Sequence, residues 1–321
     1  MGGATTIDRT REENALAELN KLSSWGRWGA EDQLGALNLV TPDVVKKATT
    51  RVRRGEVIPL AGRISRFAPG LAGAPPSMHF MTRDGGDAAA APDETPFQAA
   101  VDALVINYIH GTGTHIDALC HMWVDHRMYN DFSGNHVRSS GAARLGIEHV
   151  EGVVTRGVLL DVAASRGVSA LAADDLVSDA DLIAAEKAAG VTIEPGDAVV
   201  VRTGWLTTFK GDPVAWSRLQ PGLGPSAGLF LAKRDVCMVG CDNIAVEAWG
   251  GPPANLLPTD PRAGLTNCLH IPLLRNLGIY LLELLDLERL AKAGGREFML
   301  TLAPLLIEGG TGSPVNPLAV L

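Results

Sequence analysis

Ile109-His-Gly-Thr-Gly-Thr-His-Ile-Asp-Ala-Leu-Cys-His121 is the stretch on which the reading of the whole chain turns. It gathers His110, His115, Asp117 and His121 into a short run bracketed by glycines and threonines. Neutral imidazoles and a carboxylate are what Zn²⁺ or Mn²⁺ coordinates. The plainer alternative is a set of hydrogen-bonded core histidines, but a buried aspartate is costly unless it is paired or bound to a metal. Spacing then constrains the backbone. Residues two apart share one face of a strand but lie about 200° apart on a helix. If His115 and Asp117 hold one ion, this segment is extended. His121 has the same parity but falls beyond the end of such a strand. His110 has the opposite parity and joins the others only if Gly111-Thr-Gly113 inserts a bulge.

Upstream, Ala103 to Ile109 is a β-rich run that delivers the chain into the histidines. Residues 68–98 are rich in Gly, Ala and Pro, a loop long enough to serve as a lid or a partner-facing arm. His79 sits in it, as a surface residue or as a substrate contact. Trp25 and Trp28 lie among glycines, as a packing anchor or a pocket wall. Apolar positions at 15, 16, 19 and 22 predict an N-terminal helix over 8–22. Thr41-Pro42-Asp43 predicts the N-cap and first turn of another, with Gly55 as its stop. Val57 to Leu60 starts a strand.

Downstream, Gly157–Val162, Ala198–Thr203 and Val236–Gly240 read as buried strands, with helices over 181–189 and 229–233. The last pair of strands is Gly278–Leu285 and Phe298–Pro304. Strands and helices mix without a strict βαβ rhythm, which predicts a single α/β domain with a mixed sheet. Glu283 is one carboxylate among apolar neighbours. In a helix running on through Asp286 and Arg289 it is a surface acid; in a strand, the preferred reading, it is buried and needs a cation or a hydrogen-bond partner. Gly111-Thr-Gly113 lacks the rest of a dinucleotide fingerprint, so no nucleotide cofactor is expected.

The chain has 321 residues, 46% of them hydrophobic and 20% charged, which suits a globular protein with a sizeable core. A net charge of -8 argues against general affinity for nucleic acid or an anionic membrane. No apolar run is long enough to span a bilayer, and the first residues lack the apolar centre of a signal peptide. The 4 cysteines, Cys120, Cys237, Cys241 and Cys268, are irregularly spaced and suit a reducing compartment, so the expectation is a cytoplasmic protein.

Gly113-Thr114-His115-Ile116-Asp117 followed by His121 resembles the signature of the metal-dependent cyclase-like hydrolases, a family that includes bacterial kynurenine formamidase, isatin hydrolase and trans-dienelactone hydrolase. Arg156 to Asp161, Gly196-Asp197 with Val201 to Trp205, Val239 to Asp242, and His270-Ile-Pro-Leu-Leu with Glu283 resemble further family blocks in order, over roughly residues 24–305. The Trp25 to Gly29 opening resembles the longer bacterial branch. The resemblance implies the swivelling β/α domain of that family over 24–308, an N-terminal helical extension over 1–23 and a C-terminal tail over 309–321.

It also implies His115 and Asp117 as metal ligands, His121 as catalytic base or second-ion ligand, and His270 with Glu283 as the distal pair. One or two Zn²⁺ or Mn²⁺ ions would then activate water against a small amide, lactam, lactone or formamide, with His121 or Glu283 moving the proton. One departure matters: the family's first histidine lies four residues before the second, where this chain has Gly111. His110 is one residue off. Trp25, Trp28, His79 and Arg202 are candidates for substrate contact, Arg202 for a carboxylate unless it is a structural ion pair. The competing functions are a lyase or cyclase working through an enolate, and an inactive ligand-binding homologue, for which Gly111 speaks. The family resemblance implies a homodimer or homotetramer, with the 68–98 loop and the C-terminal tail as contact segments.

Overall fold

The computed structural model describes residues 8–90, 98–248 and 269–321. Part of the Gly/Ala/Pro loop, the start of the N-terminal extension and Cys268 lie outside these residues. In chain order the strands are β1 (Val57–Pro59), β2 (Met78–Arg83), β3 (Val101–Val105), β4 (His115–Asp117) and β5 (Val137–Arg138). Next come β6 (Gly141–Ala142), β7 (Val153–Asp161), β8 (Leu176–Val177), β9 (Ala198–Arg202) and β10 (Gly222–Leu223). The last five are β11 (Met238–Cys241), β12 (Tyr280–Glu283), β13 (Glu297–Leu302), β14 (Gly312–Pro314) and β15 (Leu318–Val320).

A 9-stranded mixed sheet runs in the order β1-β15-β13-β7-β9-β11-β12-β4-β14. Its centre, β7-β9-β11-β12, is parallel. Ala198-Val-Val-Val-Arg202 is buried throughout, as a central parallel strand with both faces covered must be. Outside that centre direction reverses: β13 is antiparallel to β7, β4 to β12, and β14 to β4. The expected α/β class with a mixed sheet is what the chain adopts.

The helices are α1 (Arg9–Leu19), α2 (Pro42–Thr49), α3 (Gly85–Ala90), α4 (Val162–Ser165), α5 (Asp179–Ala189), α6 (Pro213–Ser217), α7 (Pro225–Ala232) and α8 (Glu288–Lys292), of which α2, α4 and α5 pack on the sheet. α5 carries a capping box in which Ser178 and Asp181 satisfy each other's backbone N–H, and Gly190 closes it in the left-handed conformation at φ 67°. α1 is held against α7 by buried Leu19 and by Glu12, whose carboxylate accepts from the Ser226 backbone and hydroxyl at 2.9 and 2.5 Å. α2 begins at the Thr41 cap but ends at Thr49, well before Gly55.

Two expectations are corrected. The β-rich run expected over 103–109 is a strand only as far as Val105, and it stands apart from the main sheet. Val101–Val105 pairs with Met78–Arg83 in a separate two-stranded ribbon whose residues are almost all exposed. The chain leaves that ribbon by a turn at residues 109–111 before β4 begins. Residues 309–321 are no tail: β14 pairs with β4 and β15 lies between β1 and β13, because Ser313, Val315 and Ala319 have core to bury into.

Candidate metal centre

The cluster is assembled by β12, β4 and β14. Glu283 is paired with His115 across the β12–β4 ladder, and directly opposed residues project from the same face. Asp117, two residues on, joins them. Glu283 is thus in a strand and buried, as preferred from the sequence. Gly312 lies opposite Asp117 on β14. A Cβ there would stand 2.8 Å from His110 Cε1 and 2.7 Å from the Ile116 carbonyl oxygen, so the missing side chain is the space that His110 fills. His110 reaches the cluster without a bulge. Gly111 and Gly113 take φ of 150° and 154°, and this glycine turn, ahead of the strand, folds the ring back over Asp117.

The donor atoms converge tightly. His115 Nε2 lies 3.3 Å from Glu283 Oε2 and 3.6 Å from Asp117 Oδ1. His270 Nε2 lies 3.1 Å from Glu283 Oε1 and 3.4 Å from Asp117 Oδ2. His115 Nδ1 donates to the Gly113 carbonyl at 2.8 Å, which leaves the Nε2 lone pair facing both carboxylates. His115 Nε2, Asp117 Oδ2 and Glu283 Oε1 are buried with no hydrogen-bond partner. Buried polar atoms are otherwise almost always satisfied. Lone pairs facing lone pairs are what a cation relieves, and three imidazole or carboxylate donors within 4.8 Å of one another suit a divalent ion. These residues fit the expected metal.

Electrostatics agree. Burial alone would push His115 down, but the adjacent Glu283 carboxylate, together with Asp117, raises it to about 9. Asp117 is held well below the usual carboxylate range: burial opposes this, and His121, His110 and His270 overcome it. Glu283 is likewise lowered, against burial and the Asp117 charge, by the neighbouring His115 and His270 rings. Two ionised, fully enclosed carboxylates therefore draw positive charge to this point, from a proton on His115 or from an ion.

A second group of donors, His110, Asp117 and His121, shares Asp117 with the first. His110 Nδ1 is 2.7 Å from Asp117 Oδ1 and its Nε2 is 2.9 Å from the Thr311 hydroxyl. His121 stacks on His110 with ring centroids 3.6 Å apart and planes 9° apart. Burial, with some help from His110 and His270, drives His121 down to about 3, so this ring is neutral near pH 7.

One participant has no counterpart in the sequence reading. Glu247 places its carboxylate 2.9 and 3.1 Å from His270 Nδ1. Its only sequence signal is an acid within an otherwise apolar run after Asn243, too common a feature to stand out.

The proposed substrate contacts fall elsewhere. Arg202 bonds Asp161 at 2.9 Å and Glu288 at 2.7 Å, the ion-pair alternative. His79 is on the exposed ribbon, paired with Asp102 at 2.7 Å. Trp28 lies under the Arg27 guanidinium. Trp25 donates to the Arg275 carbonyl at 2.9 Å and packs against the Arg275 guanidinium, bracing the π-helical turn His270–Asn276 that carries His270. Cys120, Cys237 and Cys241 are buried free thiols. Among the described residues no helix is long and apolar enough to cross a membrane.

Comparison with known proteins gives this geometry its context. A family model described as "Putative cyclase" matches residues 39–248, which includes the His110–His121 stretch and Glu247 but ends before His270 and Glu283. An isatin hydrolase of Roseibium aggregatum is 30% identical over 217 residues, 65% of this chain and 71% of the relative. The crystal structure of a novel cyclase superposes with a TM-score of 0.84 at 33% identity, over 94% of this chain and 100% of its own. An isatin hydrolase bound to the product analogue thioisatinate superposes with a TM-score of 0.58 at 25% identity, over 86% of this chain and 95% of its own.

Proposed function

This chain belongs to the cyclase family, and from that premise we propose that it is a metal-dependent hydrolase of a small amide, lactam, lactone or formamide, cleaving a C–N or C–O bond with water. The observation that carries the reading is the knot of unpartnered buried donor atoms on His115, Asp117 and Glu283. The isatin hydrolase relatives support the hydrolytic class, and isatin is itself a lactam.

His115, Asp117, Glu283 and His270 would hold a Zn²⁺ or Mn²⁺ ion, and His110 with His121 borders a second position that shares Asp117. A divalent ion in such a site polarises a carbonyl and makes water a nucleophile near neutral pH. His121 is assigned the proton transfer. Its ring is neutral near pH 7, it lies beside Asp117 without being hydrogen-bonded to it, and it is partly open to solvent. In this role a ring nitrogen takes the proton of the attacking water and returns it to the leaving nitrogen or oxygen. His110, clamped between Asp117 and Thr311, orients the shared carboxylate and keeps the stacked His121 ring in place. The proposal includes a homodimer or homotetramer, supported by the ribbon that exposes Met78, Phe80, Met81, Val101 and Leu104.

The test combines metal content with a substrate screen. Protein purified without chelator is analysed for bound metal and assayed on lactones, lactams and N-formyl arylamines, with and without chelator. Hydrolysis of at least one class, abolished by chelator and restored by Zn²⁺ or Mn²⁺, is expected. No bound metal together with no hydrolysis after either ion is added would sink the reading.

A further inference from the structure

The hydrolase reading leaves one buried carboxylate beside the cluster without a task. Glu247 is 6% exposed and places both of its oxygens on one nitrogen of His270, at 2.9 and 3.1 Å. The other nitrogen of the same ring is the one that faces Asp117 and Glu283. Resting on that reading, we propose that Glu247 is a positioning residue: it fixes the His270 proton on Nδ1, aims the Nε2 lone pair into the cluster, and so sets the affinity for the divalent ion.

The chemistry of imidazole makes the assignment. A neutral ring has one N–H and one lone pair, and the partner of one nitrogen decides the state of the other. A carboxylate only accepts, and His270 has carboxylates on both sides: the Glu247 oxygens lie 2.9 and 3.1 Å from Nδ1, and Glu283 and Asp117 lie 3.1 and 3.4 Å from Nε2. Nδ1, with the closer contact to two oxygens of one group, keeps its proton, and a cation held by Asp117 and Glu283 takes the place of a proton on Nε2, the state in which histidine binds a metal. A carboxylate behind a ligating histidine also strengthens it as a ligand, and loss of such a partner typically costs about 10–100-fold in metal affinity.

The backbone is built to present this side chain. Val246, immediately before it, sits at φ 62°, a left-handed conformation that a β-branched residue adopts only at a cost. The Glu247 carbonyl accepts from the Asn243 side chain at 2.9 Å. It also lies against Gly222, where a Cβ would stand 2.4 Å from the Glu247 carbonyl atoms. Leu284, which follows the cluster residue Glu283, has the same left-handed signature at φ 55°. Both acids therefore adjoin a strained residue whose conformation the surroundings impose. A merely structural Glu247–His270 ion pair has no need of a second ring nitrogen aimed at two further carboxylates.

The experiment measures Zn²⁺ affinity by competition with a chromophoric chelator, on the full chain and on Glu247→Ala, Glu247→Gln, His270→Ala and the Glu247→Ala/His270→Ala double variant. Glu247→Ala should weaken Zn²⁺ binding by about 10–100-fold. Glu247→Gln, whose side-chain oxygen accepts the same hydrogen bond, should recover most of that loss. Once His270 is alanine, Glu247→Ala should change affinity by less than about twofold, since distant or uncoupled sites add and coupled ones do not. Wild-type affinity in Glu247→Ala, or an equal loss with and without His270, would overturn the proposal. Long-range ¹H–¹⁵N spectra of the wild-type protein give a readout that does not depend on metal binding or on the variants folding. They should show the His270 proton on Nδ1, and a proton on Nε2 alone would overturn the assignment. A wild-type chain that binds neither Zn²⁺ nor Mn²⁺ and hydrolyses no substrate, yet shows the Nδ1 proton, would refute the hydrolase reading and with it the effect of Glu247 on ion affinity. A chain that binds the ion with unchanged affinity in Glu247→Ala would refute the role of Glu247 alone.

Discussion

Gly312→Ala is the substitution through which the assembly of the centre can be tested most directly. The added carbon would stand 2.8 Å from His110 Cε1 and 2.7 Å from the Ile116 carbonyl oxygen. His110 cannot retreat freely, since it is held at 2.7 Å by Asp117 and 2.9 Å by Thr311 and stacked on His121. Two responses are open. The ring can leave, which forfeits a hydrogen bond to a buried carboxylate, about 1.5–3 kcal/mol. Or β14, the outermost strand, can shift away and loosen its pairing with Asp117, Ile116 and His115. Overpacking of this kind costs about 1–3 kcal/mol. Either way, a destabilisation of about 2–3 kcal/mol is expected. For 321 residues the unfolding entropy is about 0.7 kcal/mol per degree, so the melting temperature should fall by about 3–5 °C. The assay is thermal unfolding by circular dichroism, read beside Zn²⁺ affinity and hydrolysis. An unchanged melting temperature with wild-type affinity and rate would refute the placement of His110 beneath Gly312.

Chelation of the metal-loaded protein should lower the melting temperature by about 6 °C if free metal stands at 1,000 times its dissociation constant, because binding to the native state alone is then worth about 4 kcal/mol; superimposable melts with and without chelator would exclude a native-state metal site. His115→Ala should lose the ion, measured by metal analysis, whereas His121→Ala should keep at least one ion and lose rate by about 10²–10⁴-fold; full rate in His121→Ala would remove it as the base. Arg202→Ala should destabilise the fold by roughly 2 kcal/mol, a figure reduced for the partial exposure of its partners Asp161 and Glu288, and leave KM unchanged. A tenfold rise in KM for an acidic substrate, with an unchanged melting temperature, would return Arg202 to the substrate site.

The parts of the centre that could be read in advance are those that depend on short-range geometry. The spacing of His115 and Asp117 determines their common face on any strand, and the buried run around Glu283 favours a strand over a helix. Gly190 announces the end of α5 because a helix C-cap is local chemistry. Length and turn chemistry mislead where a segment's partner is remote. Val101–Val105 has strand composition whether it joins the sheet or an exposed ribbon, and residues 309–321 look like a Pro-rich tail until β1, β4 and β13 offer them edges to pair with.

By itself the sequence determined the donor set of the His110–His121 stretch, the extended backbone at its middle, and the mixed α/β class. The family resemblance already named His270 and Glu283 as the distal pair, and only the tertiary structure decided how they reach the site and that Glu247 stands behind it. The register that sets Glu283 opposite His115, the gap at Gly312 that admits His110, and the approach of Glu247 to His270 all depend on strand order and on residues far apart in the chain. The physical reason is one of range. Side-chain alternation and capping act over a few bonds, whereas a strained φ at Val246 or an absent Cβ at Gly312 has meaning only once the surrounding core has closed around it.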